Sequence, residues 1–203
     1  MPRLTNPDSA GSLARTLGSM NPTVSVRQAR EDDAAGVLAL RQAVFEETDF
    51  MLWEPAEFKD TEDDERKRIT RLNSATNSTC FIATDQARVV GFLNAMGSPV
   101  NRLRHSSTLV LGVRRSHWSR GVGSALLTEA LAWSRAAGLA RLELTVHTTN
   151  LRAFELYRRH GFEVEGLRQK SLLVNGQFVD EYLMSNTHAA QSLAQVAPLR
   201  QAL

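Results

Sequence analysis

The stretch Arg120-Gly121-Val122-Gly123-Ser124 follows an apolar strand and opens a segment whose apolar residues recur at Val122, Ala125, Leu126, Ala130 and Trp133, the spacing of a helix. A strand led through glycines into a helix start gathers unpaired backbone N–H groups and the positive helix end at one spot, which suits an anion. Glycine at 121 and 123 lets a ligand approach the backbone, and the small Ser124 and Ala125 keep the first turn open. Neither common nucleotide signature fits. A P-loop requires G-x-x-x-x-G-K-[ST], and a dinucleotide fingerprint puts a third glycine where Leu126 stands. Tyr157 lies in a second helical block that opens at Asn150, a capping residue, and closes at Gly161-Phe162. A phenol with a pKa of about 10 keeps its proton at neutral pH. Cys80, between Thr79 and Phe81 in an apolar strand, reads as a buried structural thiol. His147 and His160 have no Cys or His companion at zinc-ligand spacing, so no metal is expected.

Three runs stand in order along the chain: Leu109-Val110-Leu111-Gly112-Val113, then the loop ending Arg120-Gly121-Val122-Gly123-Ser124-Ala125-Leu126-Leu127, then Asn150-Leu151-Arg152-Ala153-Phe154-Glu155-Leu156-Tyr157-Arg158-Arg159-His160-Gly161-Phe162. Together they closely resemble the acetyl-CoA-dependent GNAT N-acetyltransferases, over about residues 24 to 187. That family's loop pattern is Q/R-x-x-G-x-G/A; Gly121 and Gly123 fit it, whereas Trp118 takes its first position and Ser119 stands where glycine is common.

The resemblance implies an α/β fold with a mixed, mostly antiparallel central sheet flanked by helices, and acetyl-CoA as cosubstrate. It also implies that the strand before the loop forks from its neighbour, with Leu111 and Val113 facing the cosubstrate. Trp118, Ser119, Arg120, Gly121, Val122, Gly123 and Ser124 would cradle the pyrophosphate, largely through main-chain donors, and Asn150 would contact the CoA arm as well as cap its helix. The donor to the carbonyl oxygen falls to the backbone of Leu111 or Gly112, and the acid beside sulfur to Tyr157. Those roles suit acetyl transfer to an amine, which builds negative charge on an oxygen and expels a thiolate.

The resemblance implies that the acceptor is a primary amine: a small molecule, an amino acid derivative or a peptide or protein amine. An alkyl amine with a pKa near 10.4 is only about a thousandth neutral at pH 7, so some group must take its proton. Glu46, Glu47 and Asp49, where the first helix runs into its loop, are candidates for acceptor binding, and His105, ahead of the forked strand, is a candidate base or water-positioning residue; His117 and His147 are weaker ones. Between Glu31 and Glu65 acids far outnumber the bases Arg41 and Lys59, which favours a cationic acceptor. Phe45, Phe50, Met51, Leu52 and Trp53 are either core or an apolar floor for the amine.

These residues need elements to position them. Alternation and turn signals predict a strand at Val24 to Ala29 and a helix running to about Val44. A charged helix over Asp60 to Leu72 follows, anchored by Ile69 and Leu72, and then strands at Thr79 to Thr84, Arg88 to Met96 and Ser107 to Val113. The glycine-loop helix ends at Gly138, a strand covers Leu142 to His147, and the Asn150 helix leads to Phe162 to Val174 and Phe178 to Met184, a hairpin turned at Asn175-Gly176.

The 203 residues have 42% hydrophobic and 23% charged content, as in a globular chain, and a net charge of +2, too small for a nucleic-acid binder. No apolar run approaches the roughly 20 residues of a membrane helix. Residues 1–22 read as a flexible extension without the apolar core of a secretory signal, residues 23–187 as the catalytic domain and 188–203 as a tail, in a cytoplasmic setting. The oligomeric state stays open, a homodimer included. Two rival functions also stay open: a non-catalytic acyl-CoA sensor or interaction module, and a nucleotide binder built on Gly121-Val122-Gly123.

Overall fold

Alternation, caps and turns divide the chain into the expected elements, and in the computed structural model, which describes residues 24–187, they form one seven-stranded mixed sheet with helices on both faces. In chain order the elements are β1 (Ser25–Gln28), α1 (Ala34–Glu47), α2 (Glu62–Ser74), β2 (Thr79–Asp85), β3 (Arg88–Gly97), β4 (Ser106–Val113), α3 (Val122–Ala136), β5 (Arg141–His147), α4 (Leu151–Arg159), β6 (Glu163–Val174) and β7 (Gln177–Asn186). The readings of residues 1–22 and 188–203 lie outside the described residues.

The sheet runs β1-β2-β3-β4-β5-β7-β6, and every neighbouring pair is antiparallel except β4 and β5. That one parallel pair is short: only Ser106, Ser107 and Thr108 face Arg141, Leu142 and Glu143. Beyond Thr108 the two strands separate, and the sheet splits toward its β4 C-terminal end. Antiparallel pairing holds the strands on either side of the split together. The β6–β7 turn places Asn175 at φ 50° and Gly176 at φ 77°, the two positive angles that a two-residue hairpin needs.

One face carries α1 and α2 over Cys80, Ile82, Val89 and Phe92; the other carries α3 over Phe81, Ala83, Val90 and Leu93. Val90 and Leu93 share a face although strand alternation would oppose them, because the β2–β3 register slips there, pairing Ala83 with Gly91 but Thr84 with Val89. Gly91 eases the packing beside that bulge: a Cβ there would sit 3.0 Å from Leu126 and from Val122 of α3, a tight contact.

The charged α2 starts at Glu62 because Thr61 caps it, with the Asp64 amide donating to the Thr61 hydroxyl and the Thr61 amide to the Asp64 carboxylate. It is not merely a solvated face. Glu65 is fully buried, its Oε2 accepting from Arg41 of α1 at 2.6 Å, and the Arg41 guanidinium lies 4.5 Å from the centre of the Phe58 ring. This buried pair joins the two helices in addition to Ile69 and Leu72.

Candidate active site

The register of β3 and β4 determines which backbone groups face the split. Arg114 donates its N–H to the Val90 carbonyl, so Gly112 and Val110 direct their backbone groups to β3, and Leu109, Leu111 and Val113 direct theirs away from it. Of the two amides considered from sequence, Leu111 therefore faces the fork and Gly112 does not. Gly112 serves packing instead, since a Cβ there would fall 2.4 Å from the Phe92 ring.

A cavity of about 1070 Å³ fills the fork. Its walls include Leu111 and Val113 of β4, Thr145 and His147 of β5, the loop and first turn of α3, and one side of α4. Gly121, with φ 83°, forms the left-handed N-cap of α3, and nothing lies within 4 Å of where its Cβ would be. The Ala125 amide returns to the Gly121 carbonyl at 2.9 Å, and the amides of Val122, Gly123 and Ser124 precede the first intrahelical bond. Gly123 also lets the helices close: a Cβ there would lie 2.9 Å from Leu156 of α4.

Ser119, where the family favours glycine, is held at φ 58°. Trp118 does not project its polar atom into the cavity; the indole Nε1–H donates to the Val113 carbonyl at 2.8 Å. Its ring lies under the Arg152 guanidinium at 4.4 Å. Trp118, Ser119, Gly121, Val122, Gly123 and Ser124 all line the cavity, whereas Arg120 is exposed beside it. Asn150 caps α4, accepting from the Ala153 amide at 3.2 Å, and also lines the cavity.

Tyr157 is buried at 7% exposure and reaches the cavity between α4 and the fork. Loss of solvent pushes its pKa up to about 12, and its hydroxyl has no hydrogen-bond partner among the described residues. His160, one turn on, donates from Nδ1 to the Leu156 carbonyl, so a neutral ring accepts at Nε2 from the Ser124 hydroxyl, 2.9 Å away.

The acceptor-side expectations separate. Glu47 is an ion-pair partner of Arg114, 2.9 Å from its Nε, and accepts the Arg115 amide at 2.6 Å, tying the end of α1 to the β4–α3 loop. Glu46 is exposed and stands outside the lining. Asp49 accepts from Asn175 at 3.3 Å and acts electrostatically on His147. His105 is exposed ahead of β4, where its carbonyl receives the Ala140 and Arg141 amides, and the structure does not bring it to the cavity. His117 faces Asp85 at 3.2 Å.

The acidic run forms no single surface toward the cavity, since Asp60, Glu65 and Asp64 are engaged by Arg41, Arg68 and Thr61. Of the aromatic and apolar cluster, Phe50, Met51 and Leu52 line the cavity, Phe45 packs edge-on against Phe58 in the core, and Trp53 is half-exposed outside the lining. Cys80 is buried on the α1–α2 side, its thiol pushed up to about 12 by loss of solvent.

Sequence reading did not single out four lining residues: Arg152, Arg159, Arg168 and Glu181. Arg152 and Arg159 lie inside the Asn150 block, and helical spacing from Asn150 could have placed them near the glycine loop. Glu181 reaches the site only through the pairing of β7 with β5.

The split strands, the glycine loop at a helix start and the α4 tyrosine define the site class, and sequence comparison agrees. The profile of the acetyltransferase (GNAT) family matches residues 40–162, and the chain belongs to that family. It is 35% identical over 109 residues to the L-amino acid N-acetyltransferase AaaT of Escherichia coli K12, a match covering 52% of this chain and 65%, just under two thirds, of that relative. It is 23% identical over 152 residues to the L-2,4-diaminobutyric acid acetyltransferase of Shouchella clausii, covering 73% of this chain and 81% of the relative. Among solved structures, an acetyltransferase of the GNAT family from Streptococcus pneumoniae superposes with a TM-score of 0.78 at 32% identity, covering 80% of this chain and 98% of that one. No helix among the described residues is long and apolar enough to cross a membrane.

Proposed function

We propose that this protein transfers an acetyl group from acetyl-CoA directly to the amine of a small, amino acid-like acceptor. The observation that carries the reading is the convergence of the unpaired Leu111 edge, the first-turn amides of α3 and Tyr157 on one cavity. The cradle fits the cosubstrate: open space over Gly121 and amides at the start of α3 suit a pyrophosphate, with Arg152 and Arg159 adding positive charge. Relatives named for acetylating L-amino acids and L-2,4-diaminobutyric acid support an acceptor carrying both an amine and a carboxylate. Arg168 supplies a cation for that carboxylate.

When bound, acetyl-CoA supplies an acyl thioester open to attack by a neutral amine. The Leu111 N–H, free of a strand partner, offers a hydrogen bond to developing negative charge on oxygen. Tyr157 keeps its proton throughout the neutral range. At about 12 its phenol is a much weaker acid than a thiol of about 8.5, so Oη stabilises a departing sulfur by hydrogen bonding rather than by full proton transfer. Direct transfer is supported by the placing of the one cysteine, Cys80, which is buried on the other face of the sheet and away from the lining.

The test is calorimetric titration with acetyl-CoA, CoA, ATP and NAD, then thiol release with a panel of amino acids, polyamines and peptides. Selective CoA binding with amine-dependent thiol release is expected. Binding without release across the panel would favour a sensor, and preference for ATP or NAD would overturn the assignment.

A further inference from the structure

The acceptor's ammonium must lose a proton before its nitrogen can attack, and the strand pairing brings one unassigned pair of side chains to the place where that would happen. His147 ends β5, four residues beyond Glu143, the last residue of that strand to pair with β4, and it faces Glu181 in the antiparallel register with β7. Directly opposed residues project to the same side of a sheet with Cβ atoms about 5 Å apart. Both His147 and Glu181 line the cavity that also holds Tyr157.

We propose, on the acetyltransferase reading above, that His147 is the base that takes the acceptor amine's proton and that Glu181 stabilises the charge it acquires.

The geometry suits a base. The His147 residue is 5% exposed, with the Phe50 ring perpendicular to its imidazole at 5.5 Å, so its orientation is restricted. Neither ring nitrogen has a hydrogen-bond partner among the described residues, and the cavity is the space left to them. Glu181 is fixed through one oxygen only: Oε2 accepts from the Ser171 hydroxyl at 2.5 Å and from Arg168 at 3.4 Å. Its Oε1 has no protein donor among the described residues.

The charged groups acting on the ring are Glu181 on β7 and Asp49 after α1, and Arg168 on β6, Tyr157, Arg152, Arg159 and His160 at α4, and His117 before α3 share the cavity with it. The two carboxylates favour an imidazolium, while burial favours the neutral ring and holds its pKa below the usual value, so the base form is present at neutral pH. The ammonium gives one proton to the imidazole and thence to solvent. The freed lone pair then forms the N–C bond as the C–S bond breaks, and a second nitrogen proton ends on sulfur, leaving amide, thiol and one released proton.

The experiment follows kcat/KM against pH for wild type, His147→Gln and His147→Asn, with acetyl-CoA affinity measured alongside. At pH 7 both variants should lose about a hundredfold or more in kcat/KM while acetyl-CoA affinity changes by no more than about twofold. The deficit should shrink to less than about tenfold by pH 10, where the amine deprotonates without help. Added imidazole should partly restore His147→Ala, and Glu181→Gln should show a smaller loss at pH 7. A merely structural role would give the same deficit at every pH and no imidazole rescue, and either an equal deficit or none at all would overturn the proposal. If the wild type binds acetyl-CoA but acetylates no amine, the parent reading fails and this one falls with it; an active wild type matched by active variants removes His147 alone.

Discussion

The indole of Trp118 donates its N–H to the carbonyl of Val113 at 2.8 Å, linking the middle of the glycine loop to the last residue of the forked strand. The side chain at the family's Q/R position is thus turned back on the protein, and the loop is left to meet an anion with its backbone. Trp118→Phe keeps the bulk and deletes that bond, worth about 1 kcal/mol. If the bond holds the loop in its binding shape, acetyl-CoA affinity falls about fivefold by calorimetry. Unchanged affinity would show that other contacts set the loop.

Ser119 has a backbone conformation that costs an L side chain about 1 kcal/mol, and glycine relieves it while gaining freedom in the unfolded chain. The two effects nearly cancel. Ser119→Gly should change stability by no more than about 1 kcal/mol in urea and leave acetyl-CoA affinity intact, whereas Ser119→Val should destabilise, because branching at Cβ conflicts with a positive φ.

Tyr157→Phe keeps the ring against Phe162, 5.9 Å between centroids, and removes only the hydroxyl. We expect kcat to fall by about 10- to 100-fold with acetyl-CoA affinity unchanged, measured under conditions where chemistry limits turnover. Because the phenol titrates near 12, the wild-type rate should show no loss from its ionisation up to about pH 10. A full rate in the variant would remove the hydroxyl from the mechanism.

Glu65 is completely buried, and its Oε1 has no hydrogen-bond partner among the described residues while Oε2 holds Arg41. Removing the carboxylate strands a buried guanidinium, so Glu65→Ala should cost about 3 to 5 kcal/mol in urea unfolding. Replacing both partners, Arg41→Met with Glu65→Leu, should recover much of that loss. A small effect of Glu65→Ala alone would mean that Asp60, 3.2 Å from Arg41, takes over.

The folded state holds the pKa of His147 below its usual value of 6.5, so below that pH the unfolded chain takes up a proton that the folded ring resists. Stability is therefore full above about pH 6.5 and declines as pH falls toward the lower pKa of the folded ring. Thermal melts of wild type against His147→Gln between pH 5 and 8 should show a gap in pH dependence of this sign. The opposite slope would mean that Glu181 and Asp49 outweigh burial.

Element order was legible in the sequence because it depends on local signals: alternation in β1 and β5, the Asn150 cap and the Asn175-Gly176 turn each act within a few residues. The glycine loop and Tyr157 were legible for the same reason, being short contiguous motifs. What sequence reading lacked is set by distance. The fork depends on where the β4–β5 pairing stops after Thr108, and the meeting of His147 with Glu181 depends on a register across 34 positions of chain. Glu65 stands within a run of acids, where nothing local marks it for burial, and its burial follows from Arg41 arriving from another helix. His105 seemed promising because it precedes the forked strand, but it precedes it at the end where the strands are still joined.

The three-residue seam between β4 and β5 divides one sheet into two blocks that meet along a short zip. A sheet normally has two free margins, and those of β1 and β6 are the outer ones here. The seam creates two more, buried in the middle of the molecule. Amides such as that of Leu111 should therefore exchange with solvent hydrogen far faster than their neighbours on β3, although both lie in central strands. A raw strand margin on the outside would invite another chain to zip on and aggregate. Set inside a cleft between helices, it keeps its unspent hydrogen-bonding capacity for a narrow, extended ligand.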